Sequence, residues 1–429
     1  MKQLITLFLI LAAPIALAQD APEAVHPDVG TKLRTEAVDV VFVGRKQHFE
    51  NKDTATLDVL IHSPKSVNIH PSGNKFYVNS LEGGHTLVYD FRTRRRIAEI
   101  KHSFSEKDRS LWAPESGLFE WGQPPKHKNT FWGKPVESTF SHHGQYLWVP
   151  YYRRNYDLNA QEPSALAVID CTADTIVRLF ETGPLPKMIA SSPDGKYVAV
   201  SHWGNNTVGL LDVSSDNCLD WHYVKCFVVD YKLKLDLDRT TSVNRDANSG
   251  YSLRGTVFTP DSRYLLVGCM GGGGGIAVID LHEGKYLGRV LGMKPNVRHL
   301  VIQDGWLYLS INASGYVQRI RLDDFLATVR TLKGHGSVKQ DGWQSCKVPA
   351  GARTLVLSPD GRFAFVACNF ASCLAVVDTQ TMKLIGTIPA DSYPVGLDIS
   401  SDGRTLILTS QGRNNQGGNA VDIFEVNYK

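Results

Sequence analysis

The chain has 429 residues, with 46 Lys and Arg against 43 Asp and Glu, and its formal charge of +3 leaves no global field that would draw it to nucleic acid or an anionic membrane. Any charge-driven binding must come from local clustering. Its seven cysteines include no C-x-x-C pair, which removes the usual covalent haem site and the usual zinc pair.

In chain order, the N-terminus reads first as an address. Met1-Lys2 is a short positive end, Leu4 to Leu11 is almost unbroken apolar sequence, and Ala16-Leu17-Ala18 has the small-residue pattern of a cleavage site. Residues 1–18 are expected to be a signal peptide, placing the protein in the periplasm or outside the cell. The apolar run is shorter than the roughly 20 residues a membrane span needs, and no later stretch is long and apolar enough for a transmembrane segment. Residues 19–54 read as an N-terminal extension. In it, Val38 to Val43 is a β-like run without an evident place.

From residue 55 to 429 one turn recurs. It appears as His70-Pro-Ser-Gly73, His142-His-Gly144, Ser192-Pro-Asp-Gly195, Thr259-Pro-Asp-Ser262, Gln303-Asp-Gly305, Ser358-Pro-Asp-Gly361 and Ser401-Asp-Gly403. Pro presets φ, Asp bonds its own backbone and Gly accepts a positive φ, so each is a turn with a chemical cause. Each turn sits between two β-rich runs. A third run follows, ending in Asp at Asp90, Asp170, Asp212, Asp280 and Asp378, and a fourth closes the unit. Four strands at a basal period of about 42 residues make a propeller blade. The expected fold is therefore all-β: a seven-bladed propeller of four-stranded antiparallel blades, closed by an N-terminal strand. Ala55 to Ile61 is expected to supply that strand, paired with Ala420 to Val426.

Phe76-Tyr-Val-Asn-Ser80, Tyr197-Val-Ala-Val-Ser201 and Phe365-Val-Ala-Cys368, after their Asp-Gly or Ser-Gly turns, resemble the YVTN-type β-propeller repeats of bacterial secreted and surface proteins. The resemblance covers the chain from about residue 55 onward and implies fold rather than function, because such propellers include binding proteins, lactonases and dehydrogenase subunits.

Insertions interrupt the period at Ser103 to Lys134 (with Trp112, Trp121 and Trp132), Tyr151 to Pro163, Cys218 to Gly250 and Lys333 to Ala350. Cys368 and Cys373 flank a four-residue loop between adjacent strands and are expected to form a disulfide. His142-His143, the Gly271 to Gly275 run and Asp236, Asp238 and Asp246 carry no convincing metal or phosphate pattern. The sequence names no particular cofactor.

The candidate site comes from aligning the repeats. The residue that begins each innermost strand, at the top of the central channel, is Lys65, Lys187, Arg254, Arg298 or Arg353 in five blades, Glu137 or Val136 in blade 2, and Val395 in blade 7. Tyr151, Arg153, Arg154, His202 and His299 are expected around the same mouth. Converging cations in a low-dielectric recess favour an anion, and guanidinium forks suit carboxylate or phosphate. The leading reading is a secreted binding protein for an anionic small molecule, glycan or peptide. One alternative is a periplasmic enzyme, lactonase-like or a cofactor-dependent oxidoreductase, using His202 or His299 beside the arginines. The other is an adhesion or protein-interaction module using the Trp-rich insertion.

Overall fold

A computed structural model describes residues 27–49, 56–245, 247–413 and 417–429. Seven antiparallel blades of four strands form a ring. In blade 1 the strands are Pro64–Ile69, Lys75–Ser80, His85–Asp90 and Arg96–Lys101, from the channel outward. The second strand is buried at every position, whereas the outermost is mostly open. Neighbouring blades cover both faces of the inner strands, so these read as continuous apolar runs rather than alternating ones. The apolar cores lie between blades: Tyr77 and Val88 of blade 1 pack with Leu147, Val149 and Ala167 of blade 2.

The recurrent turns do what their chemistry implies. In blade 3 the Ser192 hydroxyl donates to Asp194 at 2.6 Å, Gly195 N–H donates to Ser192 O at 3.0 Å, and Gly195 has φ +74°. The Ser400 hydroxyl and the Arg404 N–H hold the Asp402 carboxyl below its usual range in the same way. The aspartates ending the third strands also accept turn N–H groups, as Thr93 N–H to Asp90 at 2.6 Å and Thr381 N–H to Asp378 at 2.8 Å.

The ring closes through an N-terminal strand, but not the expected one. Val38–Gln47 pairs with Ala420–Tyr428 from Val38 opposite Tyr428 to Gln47 opposite Ala420. Ala55 lies outside the described residues, and 56–61 contributes only a bridge between Leu57 and Gln47. The alternation of Val38, Val40 and Phe42 explains the choice, since all three are buried against Phe424, Val426 and blade 6. Asp58 in the rejected segment serves blade 1 instead, accepting from Tyr89 Oη at 2.8 Å and Arg96 Nε at 2.9 Å. The short strand Lys32–Arg34 covers the outer edge of Val38–Gln47.

A buried ion cluster locks this closure. Arg45 Nε and Nη2 donate to Asp422 at 2.6 and 3.1 Å, and its Nη1 lies 3.2 Å from Asp391. Burial alone would depress the Arg45 guanidinium, and the two carboxylates reverse that; burial pushes Asp422 upward. Gln47 Nε2 adds a bond to Asp391 at 3.3 Å.

Cys368 and Cys373 face each other in register, yet the expected bond is absent and all seven cysteines are free. The pair meets as thiols, the Cys368 S–H favouring the Cys373 thiolate while Cys368 is itself pushed upward.

Replacing Arg45 with Met strands two buried carboxylates and is expected to cost about 3–5 kcal/mol in denaturant unfolding. Replacing Arg94, whose surface pair with Glu425 is 4.0 Å long, should change stability by no more than about 0.5 kcal/mol.

Candidate functional site

In most blades the innermost strand carries a β-bulge at its top end, and the bulge holds the aligned position. The register slips between Pro64 and Ser66, between Pro186 and Met188, between Val297 and His299, and between Pro394 and Gly396. Lys65, Lys187, Arg298 and Val395 are the unpaired residues of those slips. In blades 4 and 6 the slips span Leu253 to Thr256 and Ala352 to Leu355, and include Arg254 and Arg353. A bulge re-aims a side chain that regular pairing would send into the blade.

The five cations act on one another. Burial, then Arg353, Arg254 and Lys187, push the Lys65 ammonium well below its usual range, with Glu137 opposing. Burial, then Arg254 and Arg353, depress Arg298, with Tyr393 and Glu137 opposing. Arg254 Nη1 lies 4.0 Å from Glu137 Oε1. Lys65 Nζ donates to Gln411 Oε1 at 3.3 Å, and Arg298 Nη1 to Met270 Sδ at 3.1 Å. Lys187 Nζ stands 4.0 Å from the Tyr152 ring centre and 5.2 Å from that of Trp203, which Arg254 also approaches at 5.2 Å.

His299 belongs to this group. Its Nδ1 accepts the Leu355 N–H at 3.4 Å, and burial lowers it to about 4, against the field of Glu137, so the ring is neutral at pH 7. Below it, a cavity of about 520 Å³ lined by His299, Ser191, Phe258 and Pro260 lies beside the turns of the opposite face. A second cleft of about 400 Å³ lies among the insertions, lined by Phe119, Trp121, Lys232 and Arg245; none of the five ring cations lines it.

The remaining candidates lie elsewhere. His202 is fully buried within blade 3, its ring nitrogens 2.8 Å from the hydroxyls of Thr182 and Thr207. A Cβ on Gly183 would come within 2.5 Å of that ring, so the imidazole is wedged in place. Tyr151 is also fully buried, its hydroxyl 2.9 Å from His102 Nδ1. Arg153 donates to the carbonyls of Asp157 and Leu158 in its own loop. Arg154 is caged by Trp112, Trp121 and Phe131 at 4.8–5.3 Å. That cage turns two of the insertion's tryptophans inward, while Trp132 is 68% exposed. Tyr152, which the blade 2 segment places near the mouth, does lie against Lys187, whereas aligned turns could not locate Met270, Tyr393 or Gln411, because these three lie in loops without a repeat.

Residues 181–429 match the family described as lactonase, 7-bladed beta-propeller, which is more than half of the chain. The chain belongs to this family. A curated relative, antigen Lp49 of Leptospira interrogans, is 22% identical over 213 residues, covering 45% of this chain and 42% of that protein. The match thus spans less than half the length of that relative. Among solved structures, hydrazine synthase of Kuenenia stuttgartiensis aligns with a TM-score of 0.58 at 14% identity, covering 87% of this chain and 98% of that one. The Cps50 (Swd1) propeller domain of Myceliophteria thermophila aligns at 0.55 and 10% identity, covering 85% and 97%. At these identities the two structures support the fold alone. Among the described residues of this lactonase-family propeller, no three His, Cys, Asp or Glu side chains gather to hold a metal, and no helix is long and apolar enough to cross a membrane.

Burial lowers His202 from 6.5 to about 3, so the unfolded chain binds its proton first as pH falls. Its stabilising contribution is present above pH 6.5 and is lost progressively toward pH 3. Unfolding free energies measured between pH 7 and 4.5 should fall less steeply in His202→Gln, by up to one proton's worth of slope.

Proposed function

We propose that this lactonase-family propeller holds a small anionic molecule at the top of its channel. The observation carrying this reading is the convergence of Lys65, Lys187, Arg254, Arg298 and Arg353, each placed by the bulged end of its innermost strand. Burying like charges together is unfavourable, and an anion that accepts several charge-assisted hydrogen bonds offsets that cost. Within the broader class of anionic small molecules, glycans and peptides, the burial of Lys65, Lys187, Arg254 and Arg353 favours the small molecule. The residue 1–18 leader supports export, so the ligand is met in the periplasm or outside the cell.

A second reading, favoured by the family match and by the neutral His299 beside Glu137, makes the same site a lactone hydrolase. His299 Nδ1 gives up its long contact with the Leu355 N–H and takes a proton from water as that water adds to the lactone carbonyl, and Arg254 or Arg298 stabilises the oxyanion. The ring C–O bond then breaks, and the imidazolium returns the proton to the leaving alkoxide, giving a hydroxy acid. Glu137 stabilises the transient imidazolium.

Calorimetric titration with citrate and inorganic phosphate tests the binding reading. Arg298→Ala should weaken binding by roughly ten-fold or more, since a charge-assisted bond contributes about 1.5–3 kcal/mol. Its unfolding free energy should hold or rise as repulsion is relieved. Lost stability with unchanged anion affinity would make the ring structural. For the hydrolase reading, proton release from a δ-lactone at constant pH should disappear in His299→Ala; equal rates in both proteins would remove that reading.

A further inference from the structure

Three aromatic side chains lie at the same end of the channel as the cation ring, each from a different blade. Tyr152 lies beyond the blade 2 pairing and carries Lys187 over its ring at 4.0 Å. Tyr393 immediately precedes the innermost strand of blade 7, with φ +58°, and the field of its hydroxyl acts on Arg298. Phe370, in the loop between Phe363–Cys368 and Cys373–Asp378, sits 6.2 Å from Tyr393, centre to centre, and is 38% exposed. The topology puts all three at the same end of the channel, because second strands end where innermost strands begin. Met270, which accepts from Arg298, adds a polarisable apolar contact at that end.

An anion site for phosphate or sulfate needs only donors. Half-open aromatic rings beside those donors suit a ligand with a flat apolar body behind its charge, since offset or edge-to-face ring contacts add roughly 0.5–1.5 kcal/mol beyond area burial. We propose that the ligand is an aromatic carboxylate, its carboxylate among Lys187, Arg254 and Arg298 and its ring against Phe370 and Tyr393. This rests on the anion-binding reading and narrows it to one chemical class.

The loop carrying Phe370 is anchored for such a role. Asn369 N–H donates to Gly351 O at 2.9 Å, and Asn312 Nδ2 donates to both Ala352 O at 3.2 Å and Asn369 Oδ1 at 3.3 Å. These bonds tie the loop to the backbone just before Arg353, so the aromatic ring and that cation are held at a fixed spacing.

The test is competition calorimetry with acetate, cyclohexanecarboxylate, benzoate and inorganic phosphate at constant ionic strength. Benzoate should bind at least five-fold more tightly than acetate and more tightly than cyclohexanecarboxylate, and Phe370→Ala should bring the benzoate-to-acetate ratio close to one. If acetate or phosphate binds and benzoate is no tighter than acetate, the aromatic assignment fails while anion binding stands. Cyclohexanecarboxylate matching benzoate also overturns it, because the preference is then for apolar bulk. If none of the four binds, the underlying anion reading fails with it.

Discussion

Seven four-stranded sheets have little independent stability, and each is buried only because a neighbour covers its faces. The last sheet is completed by ten residues from the other end of the sequence, so the pairing of Val38–Gln47 with Ala420–Tyr428 turns a row of blades into a ring. Three side chains on that strand's inward face, Val38, Val40 and Phe42, join the core between blades 6 and 7, and Arg45 bonds both Asp422 and Asp391. Such a cluster adds specificity more than energy: a shifted register would leave the buried carboxylates without the guanidinium. The channel and everything facing it depend on that closure, because Lys65 of blade 1 meets Gln411 of blade 7 only across the seam.

The second constraint is local. A regular strand starting at the channel would send alternate residues into the blade faces. The slipped register at the top of the innermost strands inserts a residue that belongs to neither face, and in five blades the inserted segment holds a lysine or arginine. Gathering these charges away from water raises the electrostatic energy of the ring. Part is offset by the Tyr152 and Trp203 rings and by Glu137, and part by the depressed proton affinity of Lys65. This condition is what supports the proposed anion.

The repeat was legible because turn chemistry is local: Ser or Thr, Pro, Asp and Gly at fixed offsets mark each hairpin whatever surrounds it. The alignment of the five cations was legible for the same reason, since they lie at nearly the same distance before those turns. Closure was legible only in kind. Choosing between Ala55 to Ile61 and Val38–Gln47 required knowing that Asp58 is claimed by Tyr89 and Arg96. His202 and Tyr151 end strands that reach the top face, yet their side chains turn into the blades, a distinction of facing that alignment cannot make. Tyr393 and Phe370 sit in loops of unequal length, where no repeat assigns a position. Cys368 and Cys373 were placed correctly in register, but register alone did not join them.

Proton counting during anion binding tests the central claim most directly. Lys65 in the ring holds its proton less tightly than an ordinary lysine, and an anion placed among these cations must raise that affinity. Calorimetric titrations at a series of pH values from neutral up to the ordinary lysine range, each in two buffers of different ionisation enthalpy, report the protons taken up per anion bound. The account predicts net uptake in the wild type, lost together with affinity in Lys65→Met. Anion binding with identical heats in both buffers, unchanged by that substitution, would contradict it.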